Sequence, residues 1–172
     1  MDPIVRKFVL HWGEMGTRWG VNRSVAQIHG LLYLAREPMT AEEISKALSI
    51  ARSNVSTSLK ELESLGLVQR VHVMGDRRDH FVALKDVHDT FFAIVEARKK
   101  REIDPTLELL RELAEEAARN EGTDPHVRQQ LESMRDFVET LSSWYDDMKR
   151  LPRETLMKIL RLGSRIVRFI KG

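Results

Sequence analysis

The spacing of apolar residues changes at Gly66, and this change restricts what the chain can fold into. Before it, Val55, Leu59, Leu62 and Leu65 recur at intervals of four, three and three, which lays one apolar stripe along a helix. After it, Leu67 to Val73 largely alternates, with Gln69 and His72 set among Val68, Val71 and Val73, the pattern of a half-buried strand. Gly66 stands where a helix stops in a left-handed residue. Met74-Gly75-Asp76-Arg77-Arg78-Asp79 then reads as a polar, glycine-containing hairpin tip, and His80 to Leu84 as the return strand.

Upstream, Thr40-Ala41-Glu42-Glu43 spells a capping box, in which the Thr40 hydroxyl and the Glu43 carboxylate satisfy each other's free amides. Ile44, Ala47 and Leu48 give the short helix that follows its buried side. Ser49-Ile50-Ala51 makes a brief turn, and the striped helix begins near Ala51 or Arg52. Between Asn22 and Ala35, Val25, Ile28, Leu31, Leu32 and Leu34 fall at helical spacing, and Pro38 closes that segment. Residues 3–14 read as a further helix, after which Gly13, Gly16 and Gly20 are expected to loosen the chain around Trp12 and Trp19. Helix, helix, strand, charged turn, strand is the order of a winged helix-turn-helix.

The remainder reads as helical. A long segment from Asp86 to about Asn120 carries a kink or boundary at Asp104-Pro105. Gly122 to Pro125 is a break, His126 to Arg150 a further helix, and Pro152 opens the last one, whose apolar side is Leu156, Ile159, Leu160, Ile166, Val167 and Ile170. Long helices around one small hairpin cannot all bury their apolar sides alone, so part of that surface is expected to close against a second copy. The chain's 172 residues suit a small domain with a dimerisation module. The expected fold is mainly α with a small β-hairpin wing. It divides into an N-terminal helix and Gly/Trp segment over 1–21 that contributes to the dimer interface, a winged helix-turn-helix over 22–85 and a helical dimerisation region over 86–172.

Composition removes several function classes. The chain contains no cysteine, which excludes disulfides, thiolate catalysis and Cys-ligated metals. No P-loop, Rossmann glycine pattern or Gly-x-Ser-x-Gly nucleophile elbow is present, so no catalytic residue and no cofactor is expected. The six histidines lack metalloprotease spacing. His72 and His80 could meet across the hairpin with His88 near in sequence, but paired histidines on a wing more often serve structure or DNA, and no metal is expected. No apolar run approaches the ~20 residues that span a bilayer. Met1 to Lys7 lacks the basic-then-apolar order of a secretory leader, and a cytoplasmic location is expected. Residues 85–148 carry 9 basic against 16 acidic side chains and residues 149–172 carry 8 against 1, a contrast that suits pairing between helices. A membrane-surface role for the basic last helix is the weaker reading, because the acidic helices before it offer a nearer partner.

A recognition helix packs one side on its own domain and offers the other to the major groove. Residues 52–60 meet that demand. Val55 and Leu59 point inward, leaving Arg52, Ser53, Asn54, Ser56, Thr57 and Lys60 for DNA. Arg pairs bidentately with guanine and Asn with adenine, and short hydroxyls allow close approach to base edges. An ordinary surface helix also has a polar side, but it favours Glu, Lys and Gln; a run of Ser, Asn and Thr is costly in a helix. Arg77 and Arg78 on the hairpin are placed to reach a minor groove or flanking phosphates, with Asp76 or Asp79 holding one of them. Arg23, Arg36 and Lys46 are weaker phosphate candidates, and Glu42, Glu43, Glu61 and Glu63 must face away from the duplex.

Gly20-Val21-Asn22-Arg23, Gly30-Leu31-Leu32-Tyr33-Leu34, Arg52 to Leu62, Gly75-Asp76-Arg77-Arg78-Asp79-His80-Phe81 and Arg98 to Pro105 together resemble the GbsR branch of MarR-type regulators, in order along well over half the chain. The resemblance implies a homodimer joined through terminal helices, with two winged domains reading a pseudo-palindromic double-stranded DNA site. The chain departs from the family at Ala51, where a serine often precedes Arg52, and Ser49 is then the expected cap. The resemblance also implies a small-molecule effector. A quaternary ammonium requires an aromatic cage, and Trp12, Trp19 and Tyr33 near the domain junction are the candidate pocket, with Trp144 and Tyr145 in a later helix. Packing in the core or the dimer interface is the competing role for those rings. The alternative to a regulator is a helical protein-interaction module or anti-activator with a degenerate DNA-binding domain.

Overall fold

The computed structural model describes the backbone of residues 1–170 and the side chains of residues 1–163. The expected apolar positions Ile166, Val167 and Ile170 therefore lie outside the described side chains. The chain forms two compact units, Met1–Ile94 and the residues from Val95 onward.

In the first unit, α1 (Pro3–Arg18) precedes α2 (Arg23–Leu34), β1 (Met39–Thr40), α3 (Ala41–Leu48), α4 (Arg52–Ser64), β2 (Val68–Val73) and β3 (Asp76–Ala83). The Asp2 carboxylate caps α1 by accepting from the Ile4 and Val5 amides. The helix runs straight through Gly13 and Gly16, contrary to the loosening expected there. Each glycine lets α2 approach: a Cβ on Gly13 would lie 2.6 Å from Gln27 Cγ, and one on Gly16 would lie 2.5 Å from Ala26 Cβ. Val9 of α1 thus joins the same core as Val25, Ile28 and Leu32 of α2, and α1 belongs to the winged domain. Leu34, expected on the apolar side of α2, is exposed at its end.

The capping box forms as the sequence dictates: Thr40 Oγ1 accepts from the Glu43 amide and the Glu43 carboxylate accepts from the Thr40 amide at 2.7 Å. The turn between α3 and α4 is held by Ser45 Oγ donating to the Ile50 carbonyl at 2.6 Å. Ser49 does not cap α4. It takes a left-handed conformation, φ 55°, to end α3, and Ala51 stands at the start of α4 with no side-chain hydrogen bond. At the other end of α4, the Leu67 amide donates to the Leu62 carbonyl and the Gly66 amide to that of Glu63, while Gly66 adopts φ 68°. This is a Schellman stop, and it turns the chain directly into β2.

The sheet order is β1-β3-β2, all antiparallel. β1 is too short to show alternation and went unrecognised in the sequence. The hairpin turn is Met74-Gly75, with Gly75 at φ 84°. β3 begins at Asp76, so Arg77 and Arg78 are strand residues beside the tip rather than turn residues. A register shift between Val71 and Val73 accommodates the difference. Ile28, Leu32, Ile44, Val55, Leu59, Leu62, Leu67, Val68 and Phe81 close the core. Ala93 and Ile94 of α5 (Val87–Arg98) pack against it too, so the unit extends past residue 85 into that helix.

In the second unit, the kink expected at Asp104-Pro105 is realised by a π-helical turn over Lys99–Ile103, immediately before α6 (Asp104–Arg119). Pro105 lacks the amide that an unbroken helix would need. Then follow α7 (Pro125–Arg150), capped by Asp124 accepting from the His126 amide, and α8 (Arg153–Ile170). Leu107, Leu110, Ala114 and Ala117 form the buried side of α6, which packs on α7. An ion pair joins Arg111 to Glu139 across the two helices.

Candidate nucleic-acid interface

α4 divides as a reading helix must. Val55, Ser58 and Leu59 are buried, whereas Arg52, Ser53, Asn54, Ser56, Thr57 and Lys60 are all exposed. Two of these six side chains are already engaged in hydrogen bonds within the protein. Asn54 Nδ2 donates to Ser24 Oγ at 3.0 Å, its Oδ1 accepts from Ser58 Oγ at 3.2 Å, and Thr57 Oγ1 donates to the Ser53 carbonyl at 3.1 Å. Asn54 therefore ties α4 to the start of α2. Arg52, Ser53, Ser56 and Lys60 carry the open donors. With Ala51 unable to cap, the first amides of α4 also remain available to an acceptor from outside.

On the wing, the two arginines differ. Arg78 is clamped by Asp76 through its amide, Nε and Nη2, at 2.5–3.0 Å. That contact holds the Asp76 carboxyl far below the usual carboxylate range. His80 is buried at the base of the same cluster, its Nδ1 2.9 Å from the Arg78 carbonyl oxygen and its Nε2 3.6 Å from Asp76. Arg77 is exposed and makes no ion pair among the described residues. One arginine is thus held by a carboxylate while its neighbour projects. Arg70, not singled out from the sequence, braces the wing: it bonds Glu63 and Asp79 and lies 5.6 Å above the Phe81 ring.

The carboxylates are mostly neutralised. Glu43 is committed to its cap and Glu63 to Arg70. Glu42 pairs with the exposed Lys46 at 2.7 Å. That lysine, with lesser contributions from Arg78 and Arg52, holds the Glu42 carboxyl below its ordinary value. Glu42 therefore lies near the arginines rather than away from them. Glu61, Arg23 and Arg36 are exposed.

The candidate aromatic pocket is only partly assembled. Trp12 and Tyr33 flank His29, with ring centroids 6.1 and 6.2 Å away, and Phe8 stacks on Trp12 at 5.4 Å. Trp19 sits at the exposed end of α1. In the second unit Trp144 is exposed, and Tyr145 donates to Glu96, whose charge adds to burial in pushing the phenol up to about 12. The three histidines of the wing region do not converge. His88 instead groups with Asp86 and Asp89, where one Asp86 oxygen is occupied by the His88 and Asp89 amides. Among the described residues no helix is long and apolar enough to cross a membrane.

Fold and site together define a winged helix-turn-helix protein whose helix α4 presents a polar, exposed face. Residues 15–79 match the model of the MarR family. It is similar to the HTH-type transcriptional repressor GbsR of Bacillus subtilis, 27% identical over 136 residues that span 77% of this chain and 75% of the relative. It is similar as well to the HTH-type transcriptional regulator MmpR5 of Mycobacterium tuberculosis, 27% identical over 148 residues and 85% of each chain. A crystal structure described as that of a transcriptional regulator shares the fold, with a TM-score of 0.66 and 23% identity over 84% of this chain and 95% of the other. These relatives are regulators, not enzymes.

Proposed function

We propose that this protein is a sequence-specific transcriptional repressor that acts in the cytoplasm as a homodimer on a pseudo-palindromic DNA site. The carrying observation is the exposed face of α4, where Arg52, Ser53, Ser56 and Lys60 have open donors above a helix anchored by Val55, Ser58, Leu59 and the Asn54–Ser24 bond. Arg52 reads a base, the open α4 amides donate to a phosphate oxygen, and Arg77 on the wing follows the flanking backbone while Asp76 keeps Arg78 in place. Repression is the reading that similarity to GbsR supports.

A fluorescence-anisotropy titration against the DNA upstream of the protein's own coding region, with random DNA as competitor and at several salt concentrations, tests this. Tight, competitor-resistant binding with a steep salt dependence is expected. Binding to that region, and to the operators of related regulators, no tighter than to random DNA would remove the sequence-specific reading. The proposal includes a small-molecule effector whose binding registers at the Trp12–His29–Tyr33 row. Titration with choline and betaine, followed by tryptophan fluorescence, tests that chemistry, and an unchanged signal would exclude quaternary ammonium sensing there.

A further inference from the structure

α7 carries two different sides. One meets α6, where Glu139 pairs with Arg111 and Ser142 is buried. The other is a row of large apolar side chains left bare: Val127, Met134, Phe137, Leu141 and Trp144, exposed by 47, 58, 68, 53 and 54%, continuing to the half-buried Met148. From Met134 the intervals run three, four, three and four, a seven-residue repeat that suits the seam of a helix pair rather than a single face on a globular core.

The row is also complementary to itself. Laid antiparallel about a point between Phe137 and Leu141, it sets Met134 opposite Trp144 and Phe137 opposite Leu141, so that its central layers each pair a larger side chain with a smaller one. The positions that flank the seam nearest the axis are Val138 and Thr140, so the close approach there involves short, uncharged residues on both copies. Together these side chains expose on the order of 500 Å² of apolar surface per copy, at the upper end of what a monomer leaves bare. That is most of the ~800 Å² that each partner of a standard interface covers.

We infer that α7 forms an antiparallel two-fold seam with α7 of a second copy, centred between Phe137 and Leu141. The inference rests on the homodimer reading above and names the surface that carries it.

The chain's lack of cysteine makes the test direct. Thr140→Cys should be joined into a covalent dimer by a short bismaleimide in high yield, whereas Glu115→Cys on the exposed side of α6 should not. Phe137→Asp should raise the dimer dissociation constant, measured by analytical ultracentrifugation, at least about 30-fold. If that variant fails to fold, the Thr140 cross-link carries the test alone. A wild-type chain that dimerises and binds DNA, with no cross-link in Thr140→Cys, would overturn the seam and leave the regulator standing. A wild-type chain that stays monomeric both free and on DNA would overturn the homodimer and the seam together.

Discussion

The indole Nε1 of Trp12 donates to Nδ1 of His29 at 3.2 Å, which makes that ring nitrogen the acceptor and leaves the proton on Nε2. His29 is only 3% exposed, and its Nε2 has no hydrogen-bond partner among the described residues. Protonation would break the bond to Trp12 and bury a charge with no counter-ion, so burial lowers the imidazole pKa from 6.5 to about 4.

Acid should therefore act on the winged domain through His29. Above pH 6.5 the ring is neutral in both folded and unfolded chains and contributes no pH dependence. As pH falls below 6.5 the unfolded state takes up the proton first, and stability drops until the folded ring also protonates near pH 4. Between pH 7.5 and pH 5 this amounts to about 2 kcal/mol. Urea unfolding at the two values measures it. His29→Leu should remove about that much of the difference, and an unchanged difference would show that other groups carry the acid response.

Lys85 should anchor the C-terminal end of α2. Its Nζ donates to the carbonyl oxygens of Leu32, Tyr33 and Ala35 at 2.7, 2.9 and 2.5 Å, using all three protons on helix-end acceptors that α2 cannot satisfy itself. Desolvation lowers its pKa, yet the ammonium remains the right donor for carbonyls at the negative end of a helix. Lys85→Met keeps most of the stem and removes the donors. A loss of about 1–3 kcal/mol in urea unfolding is expected. Lys85→Arg should recover only part of it, because a planar guanidinium cannot converge on three oxygens as the compact ammonium does.

Much of this was legible in the sequence where one segment decides its own structure. The Thr40–Glu43 cap, the Gly66 stop and the change of period after Leu65 are local, and all appear in the structure. The errors have a common origin in distance along the chain. Gly13 and Gly16 read as breakers because glycine weakens an isolated helix, whereas the approach of Gln27 and Ala26 makes them necessary inside one. Asn54 looked free for adenine because its partner Ser24 is thirty positions away. β1 has two residues and is defined only by pairing Met39 with Phe81 and Thr40 with His80. Ser49 is left-handed, a state few serines adopt, so its role in ending α3 left no trace in composition.

The two interior glycines of α1 should respond differently to alanine. At Gly16 the added methyl meets Ala26 Cβ, a group fixed to its backbone, so the helices must separate. A cost of about 1–3 kcal/mol is expected, partly recovered in Gly16→Ala combined with Ala26→Gly. At Gly13 the obstacle is the middle of the flexible Gln27 side chain, which can swing aside. Alanine's helix preference, worth up to about 1 kcal/mol, then offsets the displacement. Gly13→Ala should leave the thermal midpoint nearly unchanged, and equal losses at both positions would refute the distinction.

On DNA, the wing arginines should separate by role. Arg77 has no ion pair among the described residues, so its guanidinium is available to a phosphate without first breaking a contact. Arg77→Ala should weaken binding to specific and random DNA alike and reduce the slope of log affinity against log salt by about 1. Arg78 must leave a bidentate carboxylate to do the same, so Arg78→Ala should change the salt slope less. Asp76→Asn removes the clamp and frees Arg78, and it should steepen the slope while loosening the hairpin. Arg52→Ala is the contrasting arm: a loss of roughly 1–3 kcal/mol confined to the specific site, with random DNA nearly unaffected. Anisotropy titrations across a salt series distinguish these cases. If Arg77 and Arg78 lowered the slope equally, the Asp76 clamp would not survive contact with DNA. If Arg52→Ala weakened specific and random sites equally, its role would be phosphate binding rather than base reading.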